Sequence, residues 1–374
     1  MSRLQDLLRT DLRGKTAYGA PQLDVPVRLN TNENSYPVPE SVVRDITDSV
    51  ATVAGDLNRY PDREFTELRT ALAAYLTATA GVEVSADEVW AGNGSNEVLQ
   101  HLLQAFGGPG RIALGFTPAY SMHPIISETV GTTWVDGARG QGPDAPFDLT
   151  AGSAVEQVVR HQPNVVFLCS PNNPTGTALT LDVVEAVYDA AQDAVVVVDE
   201  AYAEFAREGT PSALTLLAGR ERLVVTRTMS KAFAFAGGRL GYLAASPALT
   251  DMLRLVRLPY HLSSPTQAIA LAALRHAPEM LSTVAVIKEQ RDRIVAELTR
   301  LGLAPVPSDA NFVLFGGLAD ARATWQALLD HGVLVRDVGI PHYLRVTAGT
   351  PQETTRFLEA VADLAQTHRT GALP

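Results

Sequence analysis

VVVVDEAY, residues 195–202, is a run of four valines that stops on two carboxylates and a tyrosine. No polar residue interrupts the valines, so the segment lacks the alternation of a strand with one wet face. It reads as a parallel strand covered on both sides. VVFLC (165–169) upstream and RLVVT (222–226) downstream have the same texture. Earlier in the chain, PESVVRDITDSV (39–50), EFTELRTALAAYL (64–76) and SNEVLQHLLQAF (95–106) carry apolar residues at i, i+3/i+4 spacing, as amphipathic helices do. Strands alternating with helices predict an α/β fold with a mostly parallel central sheet and right-handed crossovers. After about residue 258 the texture changes. Long helices over 264–276 and 278–301 precede short strands near 311–315, 333–335 and 344–347, then a last helix from about 351. The expected division is a large α/β domain over residues 31–257 and a smaller α+β domain built from residues 1–30 and 258–374.

Composition narrows the function classes. The chain has 374 residues, with 30 Lys+Arg against 41 Asp+Glu and a formal net charge of −11. That length suits two lobes, and 46% hydrophobic residues against 19% charged argues for a large core and against disorder. An acidic chain is a poor ligand for polyanions, so nucleic acid is not an expected partner. One cysteine excludes a disulfide framework, and no Cys/His spacing resembles a metal site, so no metal is expected. The first fifteen residues have no apolar signal-like core, and no apolar run approaches the ~18 residues of a membrane span. The expectation is a soluble, cytoplasmic protein without a membrane partner.

In parallel α/β sheets, ligands bind where loops leave the carboxyl ends of strands. Three polar clusters occupy such positions: SPNNPTG (170–176), DEAY (199–202) and TRTMSKAFAFAGGRLG (226–241). Lysine is scarce, at Lys15, Lys231 and Lys288 only. Lys231 follows a buried strand and precedes Phe233, Phe235 and a glycine pair. Partial desolvation there would release its proton and make it a nucleophile of the Schiff-base kind. Taken alone, Ser-Lys is a weak signal, and lysine is ordinarily a solvated surface residue. Lys288, in AVIKEQRDRI, and Lys15 fit that ordinary reading. Asp199 is either a cap or a charge aimed at a ligand, and Asn172-Asn173 before Pro174 either a turn or a binding loop. GNGSNE (92–97) opens a helix and either cradles an anion or is simply N-capped at Ser95. Cys169 reads as a small apolar filler. The eight histidines (101, 123, 161, 261, 276, 331, 342, 368) show no i, i+4 pair for metal; only His261, next to Tyr260, is expected near the site.

Together, GNGSNE, SPNNPTG, DEAY and SKAFAFAGGRLGY resemble the fold-type-I pyridoxal-phosphate aminotransferases in order and spacing. Within them the chain is most similar to the histidinol-phosphate aminotransferases of histidine biosynthesis. That likeness is carried by LRGKTAYGAP (12–21), LNTNEN (29–34), RYPD (59–62), TPAYSMH (117–123), RLPYHLSSPTQ (257–267), PSDANFVLF (307–315), VLVRDVG (333–339) and YLRVTAGT (343–350). The resemblance implies pyridoxal 5'-phosphate held on Lys231, with Asp199 on the pyridine nitrogen and Asn173 and Tyr202 on the ring hydroxyl. It implies Tyr120 stacking on the ring, and a phosphate cup of Ser95, Asn96, Thr228, Ser230 and Arg239. The cup would be closed by Tyr60 of a neighbouring subunit, making the enzyme a homodimer with a composite site. Arg345 would clamp the substrate anion, with Arg336, Tyr18 and Asn32 as helpers. The implied reaction takes L-histidinol phosphate and 2-oxoglutarate to imidazole-acetol phosphate and L-glutamate.

Two rivals of the same fold are an aromatic (phenylalanine) aminotransferase and a threonine-phosphate decarboxylase, which the cofactor motifs hardly distinguish. A rival of another class is a cofactor-sensing domain of a transcription regulator. Its helix-turn-helix segment has no counterpart in the roughly 30 residues before the large lobe.

Overall fold

Seven strands form one sheet in the order β2-β8-β7-β6-β5-β3-β4 in the computed structural model, which describes residues 3–140 and 147–367. These strands are β2 (Val89–Gly92), β3 (Ile112–Thr117), β4 (Thr133–Ala138), β5 (Val165–Cys169), β6 (Val195–Asp199), β7 (Leu223–Thr228) and β8 (Gly241–Ala245); β1 (Val27–Arg28) lies elsewhere. β4, β3, β5, β6 and β7 pair in parallel, and β8 runs antiparallel to both β7 and β2. The expected mostly parallel α/β sheet is present. Every residue of β5, β6, β7 and β8 is buried, as uninterrupted apolar runs require when helices cover both faces.

Register decides where the chemistry can sit. Cys169 on β5 lies opposite Asp199 on β6, and Asp199 lies opposite Thr226 on β7. The carboxyl ends of three adjacent strands are therefore level, and their polar loops open side by side.

The C-terminal part builds a second layer. β10 (Phe312–Gly316) pairs antiparallel with β12 (Leu344–Thr347) and β9 (Ala304–Pro305), while β11 (Val333–Leu334) pairs in parallel with β1. Its core gathers Phe312, Phe315, Leu344 and Phe357 with Val27 and Leu29 from the N-terminal segment. The expectation over 278–301 differs in detail. The helix breaks after Met280 and resumes over Val284–Arg300, with the intervening Leu281-Ser282-Thr283 in turns.

The cores also place the lobe division differently from residue 258. Helix Ser264–Arg275, capped by Ser263, packs on helices Glu40–Ala54 and Thr66–Ala80, and Ala270, Ala273 and Met280 belong to the large core. The second core takes up the chain from Ile287. A texture change in the sequence marks a change of elements, whereas lobe membership depends on which distant helices cover the apolar face. Tyr202, Phe205 and Ala232, from the loops after β6 and β7, also join the second core. Those loops therefore bridge the lobes, and no described helix is long and apolar enough to cross a membrane.

Candidate active site

A cavity of about 470 Å³ lies at the seam, lined by Lys231, Asp199, Tyr202, Asn173, Tyr120, Ser95, Asn96, Thr228, Ser230, Arg239, Arg345, Arg336, Tyr18 and Asn32. All the expected site residues except Tyr60 thus converge, although they span more than 300 positions of chain. Tyr60 stands 80% exposed and stacks on Tyr260, with ring centroids 4.4 Å apart.

At one end of the cavity the helix Ser95–Phe106 presents its N-terminus. Its N-cap is Gly94, with φ +82 and no side-chain cap. The first N–H groups, at Ser95 and Asn96, therefore face outward for an external acceptor. Any side chain at Gly94 would run into the Arg239 guanidinium, and one at Gly241 into the Ser95 backbone, so both glycines are what allow the parts to close up. Arg239 donates to Ser230 Oγ (3.4 Å) and Ala236 O (2.9 Å), and Thr228 donates to Ser230 Oγ (3.0 Å). Backbone donors, two hydroxyls and a guanidinium on one concavity suit a phosphate dianion.

Lys231 lies in the centre. Its Nζ donates to Thr31 O (3.0 Å), and burial, reinforced by the positive Arg345 and Arg239, pulls its pKa down to about 8. A substantial neutral fraction at physiological pH makes it both nucleophile and base. Asp199 is 2% exposed at the end of β6, and its Oδ1 accepts from Thr226 Oγ1 (3.2 Å).

Tyr202 and its neighbours form a chain of contacts. The Tyr202 hydroxyl oxygen accepts from Asn32 Nδ2 (3.0 Å) and Asn173 Nδ2 (3.3 Å). With both acceptor positions taken, its own proton must be offered elsewhere, and the cavity is the open direction. Burial holds that phenol protonated, well above its ordinary pKa. Arg345 donates to Asn173 Oδ1 (2.5 Å) and Asn30 O (2.9 Å), and its buried Nε has no acceptor among the described residues. Arg336 lies 5.9 Å over the Tyr18 ring, and Tyr120 donates to Asn96 Oδ1 (3.2 Å). Asn32 thus holds Tyr202 from beneath. It adopts φ +56, its backbone N–H donating to Thr347 Oγ1 and its Oδ1 accepting from the same hydroxyl, each at 3.1 Å.

Sequence reasoning missed His123, since only His261 among the histidines is expected near the site. It is 1% exposed, its Nε2 lies 3.0 Å from Asp199 Oδ2, and its ring stacks on Phe167 with centroids 4.6 Å apart. The available signal was its place three residues after Tyr120, one helical turn along. His261, expected near the cavity, is instead bonded to Ala91 O (2.9 Å) behind the phosphate loop, and His368 lies outside the described residues. Among the described residues no group of His, Cys, Asp and Glu could hold a metal ion.

Residues 25–361 match the family model of aminotransferase class I and II. This chain belongs to that family. Histidinol-phosphate aminotransferase of Paenarthrobacter aurescens is 62% identical over 97% of this chain and 96% of its own length. That of Frankia casuarinae is 60% identical over 95% and 89%, respectively. Among solved structures, histidinol-phosphate aminotransferase from Sinorhizobium meliloti in complex with pyridoxal-5'-phosphate superposes with a TM-score of 0.80. At 24% identity over 92% of this chain and 91% of that one, the likeness is one of fold.

His123 is not among the lining residues of the cavity and meets it through its bond to Asp199. His123→Phe keeps the stacking but removes the bond to Oδ2, so the carboxylate loses a fixed direction. Expected is a fall in kcat of about tenfold with KM for the amino donor nearly unchanged, and rescue toward wild type by His123→Asn. A KM effect alone would make His123 a packing residue.

Proposed function

We propose that this chain uses pyridoxal 5'-phosphate to transfer the amino group of L-histidinol phosphate to 2-oxoglutarate. The observation carrying this reading is one cavity lined together by the donor cup of Ser95, Asn96, Thr228, Ser230 and Arg239, by Lys231 and Asp199, and by the guanidinium groups of Arg345 and Arg336. The names of the relatives at 60–62% identity support the choice of substrate.

The donor set fits the cofactor. Ser95 and Asn96 N–H groups, Ser230, Thr228 and Arg239 would take its phosphate, the Tyr202 hydroxyl its ring hydroxyl, and Tyr120 one ring face. When bound, the cofactor carries the amino group between substrates and accepts the electron pair released as the substrate Cα–H bond breaks. With the cofactor bound, Asp199 would hold a proton on the ring nitrogen, because a buried carboxylate stabilises that cation. Neutral Lys231 Nζ removes the proton from substrate Cα and returns it in the next step. Arg345 and Arg336 bind the substrate's distal anion. A guanidinium fork accepts a tetrahedral phosphate or a planar carboxylate, which lets one site serve both substrates.

The assay that tests this supplies L-histidinol phosphate and 2-oxoglutarate and measures L-glutamate. Expected is turnover well above that with L-phenylalanine as donor. Faster turnover of phenylalanine, or carbon dioxide release from threonine phosphate, would replace the substrate assignment.

The partner's Tyr60 completes the cup in this reading. Supporting it, Tyr60 and Tyr260 lie with Leu57, Leu255 and Leu258 (59%, 84% and 76% exposed) on two neighbouring segments, a patch of the kind a second copy covers. Hybrid dimers give a direct check. Lys231→Met and Tyr60→Ala homodimers should each be nearly inactive, whereas a refolded equimolar mixture should recover about a quarter of wild-type activity, since half the dimers carry one intact site. No recovery would place Tyr60 outside the neighbouring site.

A further inference from the structure

A second cavity, of about 860 Å³, opens between the lobes. It is separate from the first: Cys169 and Asp199 line one, and their chain neighbours Ser170 and Glu200 line the other. Its large-lobe wall carries Tyr75, Glu204 and Arg227, and its small-lobe wall carries Leu281, Val284 and Lys288.

The polar groups of the large-lobe wall do not balance. Buried Arg227 pairs with Glu200 Oε2 (2.7 Å) and Glu204 Oε1 (3.2 Å). Glu200 is satisfied further by Ala213 N–H (2.7 Å) and Ser212 Oγ (2.8 Å). Glu204 Oε1 also accepts from the Tyr75 hydroxyl (3.2 Å), but Glu204 Oε2 is buried with no partner among the described residues, on a side chain only 9% exposed. Two carboxylates facing one guanidinium leave one negative charge in excess, and a buried carboxylate oxygen without a donor is unfavourable. On the opposite wall Lys288 spends one of its three N–H donors on Ala206 O (2.6 Å). The rest of the lining mixes apolar groups, at Pro171, Leu281 and Val284, with the hydroxyls of Thr79, Ser170 and Thr210.

We infer that this interlobe cavity binds a free amino acid, its ammonium on Glu204 and its carboxylate on Lys288. A simple amine would leave Lys288 unmatched and a simple acid would leave Glu204 unmatched. A divalent cation is disfavoured by Arg227 and Lys288 on the same walls. The zwitterion answers both charges, and the mixed apolar and hydroxyl lining takes its side chain. This inference rests on neither the cofactor nor the substrate assigned to the first cavity.

The test screens the holoenzyme by thermal shift against each proteinogenic L-amino acid at about 5 mM, with ethylamine and acetate as controls, and follows hits by calorimetry. Expected is stabilisation by at least one amino acid and by neither control, with affinity weakened about tenfold or more in both Glu204→Gln and Lys288→Met. Neither residue lines the first cavity, so binding there would survive both substitutions. If Glu204→Gln fails to fold, Lys288→Met decides alone. No amino acid hit, or a hit of unchanged affinity in Lys288→Met, overturns the assignment.

Discussion

Lys231→Met is expected to lower kcat by at least about 10⁴-fold, because the substitution keeps the stem and removes the one lysine amine lining the cavity among the described residues, the group proposed to bond covalently and carry the Cα proton. Borohydride reduction of the wild-type holoenzyme should fix the cofactor on the Lys231 peptide, and the variant should take no label. The same change is expected to stabilise the cofactor-free protein. The lysine pKa is about 8 in the fold, against 10.5 for the ordinary side chain. Between those values the unfolded chain binds the proton and the folded chain does not, so stability rises with pH across the window. Below about pH 8 the folded protein carries the full cost of a buried ammonium; above about 10.5 it carries none. At pH 7 the variant should gain about 1–3 kcal/mol, less than the full pKa difference because the bond to Thr31 O is also lost. Urea unfolding of both cofactor-free proteins at pH 7 and pH 10 measures it. A gain that does not shrink at the higher pH would mean that the ammonium is not what destabilises the fold.

Asp199→Asn should cost about 10³-fold in kcat with the fold intact. The amide can keep contacts to Thr226 and His123 but brings no charge. In a cavity that already holds Lys231, Arg239, Arg336 and Arg345, it cannot keep a proton on the ring nitrogen. Single-turnover absorbance with histidinol phosphate should show the loss in the proton-transfer step, not in substrate binding. A kcat within tenfold of wild type would remove Asp199 from its assigned role. Together with His123→Phe, this variant separates the charge itself from the groups that aim it.

Much of the site was legible because its parts are local. Each of SPNNPTG, DEAY and TRTMSK directly follows an apolar run. A run with no polar interruption must be a covered strand, whose carboxyl end is where loops can present side chains. The scarcity of lysine narrowed the amine to three positions before any fold was considered. The resemblance to known aminotransferases puts both Asn173 and Tyr202 on the cofactor's ring hydroxyl, but it does not foretell the bond between the two side chains.

His123 could not be assigned in this way. Its partner Asp199 is 76 residues away, and nothing in TPAYSMH says that the ring turns toward β6 and not toward solvent. Asn32 was expected beside the substrate, yet its amide supports Tyr202, 170 residues distant. Arg227 divides its donors between Glu200 and Glu204, which leaves one Glu204 oxygen without a partner among the described residues, and no local pattern in the sequence announces that division.

By itself, the sequence determined the covered parallel strands, the polar loops at their carboxyl ends, and the three lysines among which a reactive amine is to be sought. These follow from apolar periodicity and from residues within one turn of a strand end. The tertiary structure alone decided the reversal of β8, the attachment of helix Ser264–Arg275 to the large core, the aim of Asp199 and the existence of the second cavity. Each of these depends on contacts between segments far apart in the chain, where packing and charge balance, not local preference, select the arrangement.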